Sequence, residues 1–188
     1  MDGGALLGHD YSFDKGEALM QKTREQWLEE GDNHLKAEQY RESIEAYSKA
    51  VELDPDDAET YCKRGNAQEG LKRYGRAIAD YDKAIELEPY SPQFYRARGD
   101  AYCEVKKHEK GIADYSEAID LSDDDWQLIS LYERRGDAYA ALFDIDSAIA
   151  DFQEAIDRNS RRGYADWDLV KKITALNLYK LGKDKGYI

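Results

Sequence analysis

Cysteine, proline, methionine and histidine are all scarce in this chain of 188 residues: two Cys, three Pro, two Met and three His. Cys62 and Cys103 alone build neither a disulfide framework nor a zinc site, which needs about four ligands. His9, His34 and His108 stand in no HxxxH or HExxH frame, so no metal centre is expected. Phosphate-binding GxGxxG and GxxxxGK[ST] loops are missing, and nothing implies a cofactor. No apolar run approaches the roughly 20 residues of a membrane span. Positive charge is in deficit, with 27 Lys+Arg against 40 Asp+Glu and a net charge of −13. A nucleic-acid binder must neutralise phosphates with cations, and docking on anionic lipid has the same requirement, so neither partner is expected. The opening MDGGALLGHDYSFDKG has no apolar core of a signal peptide, Asp2 precludes myristoylation, and the ending KDKGYI is neither a prenylation nor a retention signal. The expected location is the cytoplasm.

What the chain does have is tyrosine, helix-forming residues and a period. Tyr supplies 15 of the 22 aromatics, and aromatic-rich chains fold. Gly31, Gly65 and Gly99 are spaced by 34, and Gly136 follows after 37. The same steps relate Ile44, Ile78, Ile112 and Ile149; Tyr47, Tyr81, Tyr115 and Phe152; and Ala50, Ala84, Ala118 and Ala155. The shared 37 places a three-residue insertion near Ser122–Trp126. Each unit reads as two helices. In the second unit these are AETYCKRGNAQEGLK and GRAIADYDKAIELE, with a turn around Arg73–Gly75. Ile78, Tyr81, Ala84, Ile85 and Leu87 form one apolar stripe at helical spacing. A glycine inside a helix costs about 1 kcal/mol relative to Ala. Its return in every unit together with an aromatic predicts that Tyr81 packs on the bare backbone of Gly65. One hairpin cannot bury both of its faces, but stacked neighbours can, which makes a solenoid.

With first positions at Arg24, Ala58, Pro92 and Ile129, the units resemble the tetratricopeptide repeat. Its fourth-position aromatic is Trp27, Tyr61, Tyr95 and Tyr132, its eighth is the glycine, and its twentieth is Ser43, Ala77, Gly111 and Ala148. The closing proline is Pro55 and Pro89, then becomes Asp123 and Ser160. The resemblance implies an all-α, right-handed solenoid of four helix-turn-helix repeats (residues 24–57, 58–91, 92–125 and 129–162). Residues 1–23 read as a flexible segment, and 163–188 as a capping helix with a basic tail. The capping face is drawn from Trp167, Val170, Ile173, Leu176, Leu178 and Leu181.

Arg64, Arg98 and Arg135 occupy the seventh position where Asp80, Asp114 and Asp151 occupy the twenty-third, and the first unit has Glu30 and Ala46 instead. That co-occurrence predicts an Arg–Asp pair inside each of the last three hairpins. Scattered carboxylates at helix-surface spacing read as a solvated face, and an open groove offers no buried pocket, so enzymatic activity is not expected. The acidic run Asp123–Asp125 lacks the Gly and Glu of a calcium loop and reads as a helix start.

The family resemblance implies a peptide-binding groove on the first helices. Its acids are Glu25, Glu29, Asp32, Glu59, Glu69, Asp100, Glu104, Glu133 and Asp137, and its bases are Lys36, Lys63, Arg96 and Arg134. Asn66 joins them, with Leu28, Leu35, Cys62 and Cys103 as apolar footholds. Such a surface suits a basic or mixed-charge peptide or helix of a protein partner. The carboxylate clamp by which some relatives hold acidic chaperone tails is poorly matched. One register offers Leu28, Asp32, Lys63, Gln93 and Ala97; the other offers Cys62, Asn66, Ala97, Ser130 and Arg134. Residues 158–188 carry eight Lys+Arg and three Asp. A second reading is therefore self-assembly into a homo-oligomer, with this basic segment in the groove of another copy.

Overall fold

The computed structural model describes residues 22–185. The segment read as flexible lies outside them, except for Lys22 and Thr23. Thr23 is the N-cap of the first helix: its hydroxyl accepts from the Gln26 N–H while the Gln26 side chain accepts from the Thr23 N–H. Thr23 thus belongs to the start of the first helix.

Among the described residues there are nine helices and no strand. Repeat one is α1 (Arg24–Lys36) and α2 (Tyr40–Leu53); repeat two is α3 (Ala58–Gly70) and α4 (Tyr74–Leu87). Repeat three is α5 (Pro92–Glu104) and α6 (His108–Leu121); repeat four is α7 (Asp125–Ala141) and α8 (Ile145–Arg161). A single helix, α9 (Trp167–Asp184), follows. Each helix packs on the next in order, and α5 also touches α3 and α7. First helices of successive repeats therefore crowd together along one side, the geometry of an α-solenoid.

Glycine and aromatic lock each hairpin. A Cβ added at Gly65 would lie 2.5 Å from the Tyr81 ring, and one at Gly31 the same distance from Tyr47. Gly99 faces Tyr115 and Gly136 faces Phe152 in the same way. Burying such an aromatic contributes about 1.5–3 kcal/mol, which exceeds the helix cost of the glycine. Small residues at the twentieth position complete the fit: Ser43 and Ala77 are fully buried, and the Ser43 hydroxyl donates to the Gly31 carbonyl.

The predicted ion pairs sit inside the hairpins. Arg64 donates from Nε and Nη2 to the two oxygens of Asp80 at 3.0 and 2.6 Å. Arg98–Asp114 and Arg135–Asp151 repeat this two-pronged geometry. The third nitrogen of each guanidinium reaches backward to the preceding repeat, to Ser48, Asp82 and Ser116 respectively. Each arginine thus fastens its own hairpin and the joint to its neighbour. A fourth-position tyrosine lies under the same guanidinium, at 5.3 Å for Arg64 over Tyr61.

One local expectation needs correction. The turn of repeat two spans Leu71–Arg73, and Gly75 stands in the first turn of α4 facing open space. The residue that turns the chain is Lys72, at φ 56°, with Glu38, Lys106 and Phe143 in the same left-handed conformation in the other repeats. The following N–H closes onto a carbonyl five residues back, as Arg73 does onto Gln68 at 2.9 Å. The three-residue insertion is absorbed as helix: α7 starts at Asp125, before the repeat frame begins at Ile129. Asp124 caps it by accepting from the Gln127 N–H at 2.9 Å.

The capping face also differs from expectation. Leu169 is the buried residue of α9, with Ile173 and Leu176 packed beside it on Phe152 and Ile156. Trp167, Val170, Leu178 and Leu181 are exposed. They occupy a different side of the helix, so α9 covers the end of repeat four and presents a second apolar stripe to solvent.

Candidate functional site

The eighteen groove residues expected from the sequence fall on α1, α3, α5 and α7, the helices that crowd along one side. Cys62 is the exception in exposure. It is 6% exposed and packed in the core with Tyr81, Phe94 and Ala97, so it offers no foothold to a ligand. Burial pushes its thiol pKa up to about 12. Cys103 is half-buried with its sulfur against Gly111, and burial raises its pKa as well. Both thiols are free. Leu28 and Leu35 remain partly exposed.

The packing tyrosines reach through to this surface, which the sequence reading missed. The Tyr47 hydroxyl donates to Asp32 at 2.7 Å, and Tyr115 donates to Asp100 at 2.7 Å. The Tyr81 hydroxyl lies 2.8 Å from both Asn66 Oδ1 and Glu69 Oε2. It has one proton to give, so only one acceptor is served at a time unless the Asn66 amide turns and donates instead. Burial next to these carboxylates raises all three phenol pKa values. The signal was present in the sequence: Tyr stands at this position in three repeats and Phe152 in the fourth.

Cations tie successive repeats together across the same face. Lys63 donates to both oxygens of Asp32 at 2.9 and 3.0 Å. Arg134 donates to Asp100 at 2.8 Å, and Arg96 lies 3.5 Å from its other oxygen. Lys172 of α9 donates to Asp137 at 2.6 and 2.9 Å, where Phe152 has no hydroxyl to offer. Each rung joins the sixth position of one repeat, or its equivalent on α9, to the ninth position of the repeat before. In repeat three that sixth position is Ala97, which is buried and brings no charge toward Asn66.

Carboxylates near the missing rung are poorly compensated. Burial raises the pKa of Glu69, and Asp100 and Glu104 push the same way against the hydrogen bond from Tyr81 and the charge of Arg96. Burial likewise raises Glu59 and Glu133. Asp32 moves down instead, because bonds from Tyr47 and Lys63 outweigh its burial. A depression of about 290 Å³ lies beside this region, lined by Asp100, Cys103, Glu104, His108, Arg134 and Asp137 among others. An apolar notch of about 230 Å³ lies between Pro92, Arg96, Trp126 and Leu131. Trp126 enters it from the extra first turn of α7.

Comparison with known proteins agrees with this architecture. Family models described as TPR repeat and tetratricopeptide repeat match residues 31–72, 58–91 and 129–161. The small glutamine-rich tetratricopeptide repeat-containing protein beta of Homo sapiens is 45% identical over 47 residues, which is 25% of this chain and 16% of that protein. The crystal structure of MamA superposes with a TM-score of 0.72 at 25% identity, over 79% of this chain and 85% of that one. The first TPR of Spaghetti (RPAP3), bound to an HSP90 peptide, gives 0.59 at 24% identity, over 63% and 92%. With its four framed hairpins, its repeated glycine–aromatic lock and these matches, the chain belongs to the tetratricopeptide repeat family.

Proposed function

We propose that the chain is a non-catalytic adaptor that holds a basic or mixed-charge peptide or helix of a protein partner along the face formed by α1, α3, α5 and α7. The observation that carries this reading is the missing rung. Three aspartates of the face are served by cations from the next repeat or from α9. The position that would serve Asn66 is Ala97, and among the described residues Glu69 and Glu104 nearby accept only from the hydroxyls of Tyr81 and Tyr74. A lysine or arginine of the ligand supplies the absent charge there, and the notch at Trp126 takes an apolar neighbour. The pockets are shallow and open, which suits a polypeptide better than a small substrate.

The acidic peptide in the Spaghetti structure belongs to that protein. Here an acidic tail would meet Glu59, Glu69 and Glu104, and Lys63 is already committed to Asp32. Self-assembly through the basic C-terminal segment is also weakened, because Arg158, Lys171, Lys172 and Lys180 each pair with an aspartate of their own chain. The free thiols Cys62 and Cys103 suit a reducing compartment, and we place the adaptor in the cytoplasm.

Capture from cell extract, comparing the native chain with Glu59→Lys/Glu104→Lys by mass spectrometry, tests the groove. The charge-reversed chain is expected to keep its helicity and lose its partners; retention of the same partners rejects the assignment. Ligand pH dependence gives a second check. A bound cation lowers the raised pKa of Glu69, so binding releases protons and weakens as pH falls through the carboxylate range. For stability the sign is opposite. A carboxyl with a raised folded pKa is destabilising once ionised, so Glu69→Gln is expected to stabilise the free chain at pH 7. That gain vanishes on acidification below about pH 4, the ordinary glutamate range. A Glu69→Gln chain that binds basic ligand as well as the native chain contradicts the role of this carboxylate.

A further inference from the structure

We propose that the chain forms a two-fold symmetric dimer in which α9 packs antiparallel against α9 of a second copy, with Thr174 on the axis. This inference stands apart from the groove. Trp167 is 70% exposed and Leu178 is 64% exposed, with Val170 and Leu181 beside them on one side of the helix. At 3.6 residues per turn, that stripe lies about 130° around the helix from the buried Leu169, Ile173 and Leu176. Large apolar side chains left in water in one row mark an interaction surface.

The order of the stripe indicates what covers it. Trp167, Val170, Thr174, Leu178 and Leu181 stand at −7, −4, 0, +4 and +7 from Thr174. The pattern therefore reads the same in both directions. A two-fold axis through Thr174 sets Trp167 against Leu181 of the second copy and Val170 against its Leu178, which is the self-complementarity an isologous interface requires. Thr174 at the crossing is small, and its hydroxyl donates to the Val170 carbonyl at 2.8 Å, so close approach strands no polar group. The α9 helix is about 27 Å long, enough for all five layers to engage.

Helix dipoles favour the antiparallel arrangement: antiparallel crossing opposes them, whereas parallel crossing sets like ends side by side. Lys180 is held by Asp146 and Asp168 by Lys171 of the same chain, so neither bridges the copies. On the flanks, Lys171 comes level with the neutral Asn177 of the second copy. Lys172 and Ala175 line the groove end of α9, away from the stripe, so dimerisation leaves both grooves open. The dimer presents two grooves, and a partner with two matching segments gains avidity from them.

Sedimentation equilibrium of the full chain over a concentration series, in about 0.05 M and about 1 M salt, tests the proposal. Charged contacts are screened at the higher salt, and apolar ones persist. The expected result is a dimer at both salts. Leu178→Asp is expected to weaken it at least about 30-fold without loss of helicity, as removal of a central apolar anchor does. Oxidation of Thr174→Cys is expected to give a covalent dimer whose cross-link maps by mass to residue 174 of both copies. A monomer at every concentration overturns the proposal, whether residues 1–21 or another protein fills the stripe. So does a dimer that dissociates in high salt, one indifferent to Leu178→Asp, or a cross-link confined to Cys62 or Cys103.

Discussion

Tyr81 in repeat two is wholly buried, whereas Trp167 at the start of α9 keeps most of its surface in water. Both are large aromatics in amphipathic helices, and they differ in what faces them. Tyr81 has Gly65 on the partner helix of its hairpin and a third helix behind. The helix that carries Trp167 has no such partner, and only its Leu169 side meets repeat four. In a solenoid the neighbouring helix decides whether an apolar residue is core or surface.

Three substitution pairs sharpen that contrast. Tyr81→Ala removes a fully enclosed ring and is expected to cost about 3–5 kcal/mol in urea denaturation. Leu178→Ala, measured under conditions that keep the chain monomeric, is expected to stay within about 0.5 kcal/mol. Equal costs would mean that the end of the array is as tightly packed as its middle. Next comes the ion-pair contrast. Asp80→Ala leaves Arg64 half-buried with Ser48 as its remaining hydrogen-bond acceptor and is expected to cost about 2–3 kcal/mol. Asp168→Ala breaks an exposed pair with Lys171 and is expected to cost less than about 0.5 kcal/mol. The smallest effect lies in the turns. Lys106→Gly relieves a left-handed backbone and is expected to stabilise by about 0.5–1 kcal/mol, net of the entropy of glycine. Phe143→Gly relieves the same strain but forfeits the ring contact with Tyr179, whose centroid is 6.2 Å away. Its thermal midpoint is therefore expected to rise less than that of Lys106→Gly.

Most of the architecture was legible because repetition turns one chain into its own alignment. Glycine and aromatic recur together, as do arginine and aspartate, and both couplings are contacts inside the hairpin. What stayed hidden was chemistry that does not follow residue type. Gly75 attracts a turn assignment, but the left-handed position falls to Lys72, since the carbonyls ending α3 need closing there whichever residue is present. Cys62 has groove spacing yet sits on the inner shoulder of its helix, where Phe94 and Tyr81 cover it. Hydropathy gives α9 two apolar sides without saying which one meets repeat four. The rungs of the candidate site needed coordinates, because Lys63 and Asp32 are 31 residues apart and only stacking sets them face to face.

Amide chemical-shift mapping of the chain, titrated with the segment recovered by capture, tests the proposed groove most directly. The expected result is that shifts concentrate on the first helices around Glu59, Asn66, Glu69 and Asp100, while Glu86 of α4 and Glu117 of α6 stay still. Shifts confined to α2, α4, α6 and α8, with the first helices silent, would contradict it.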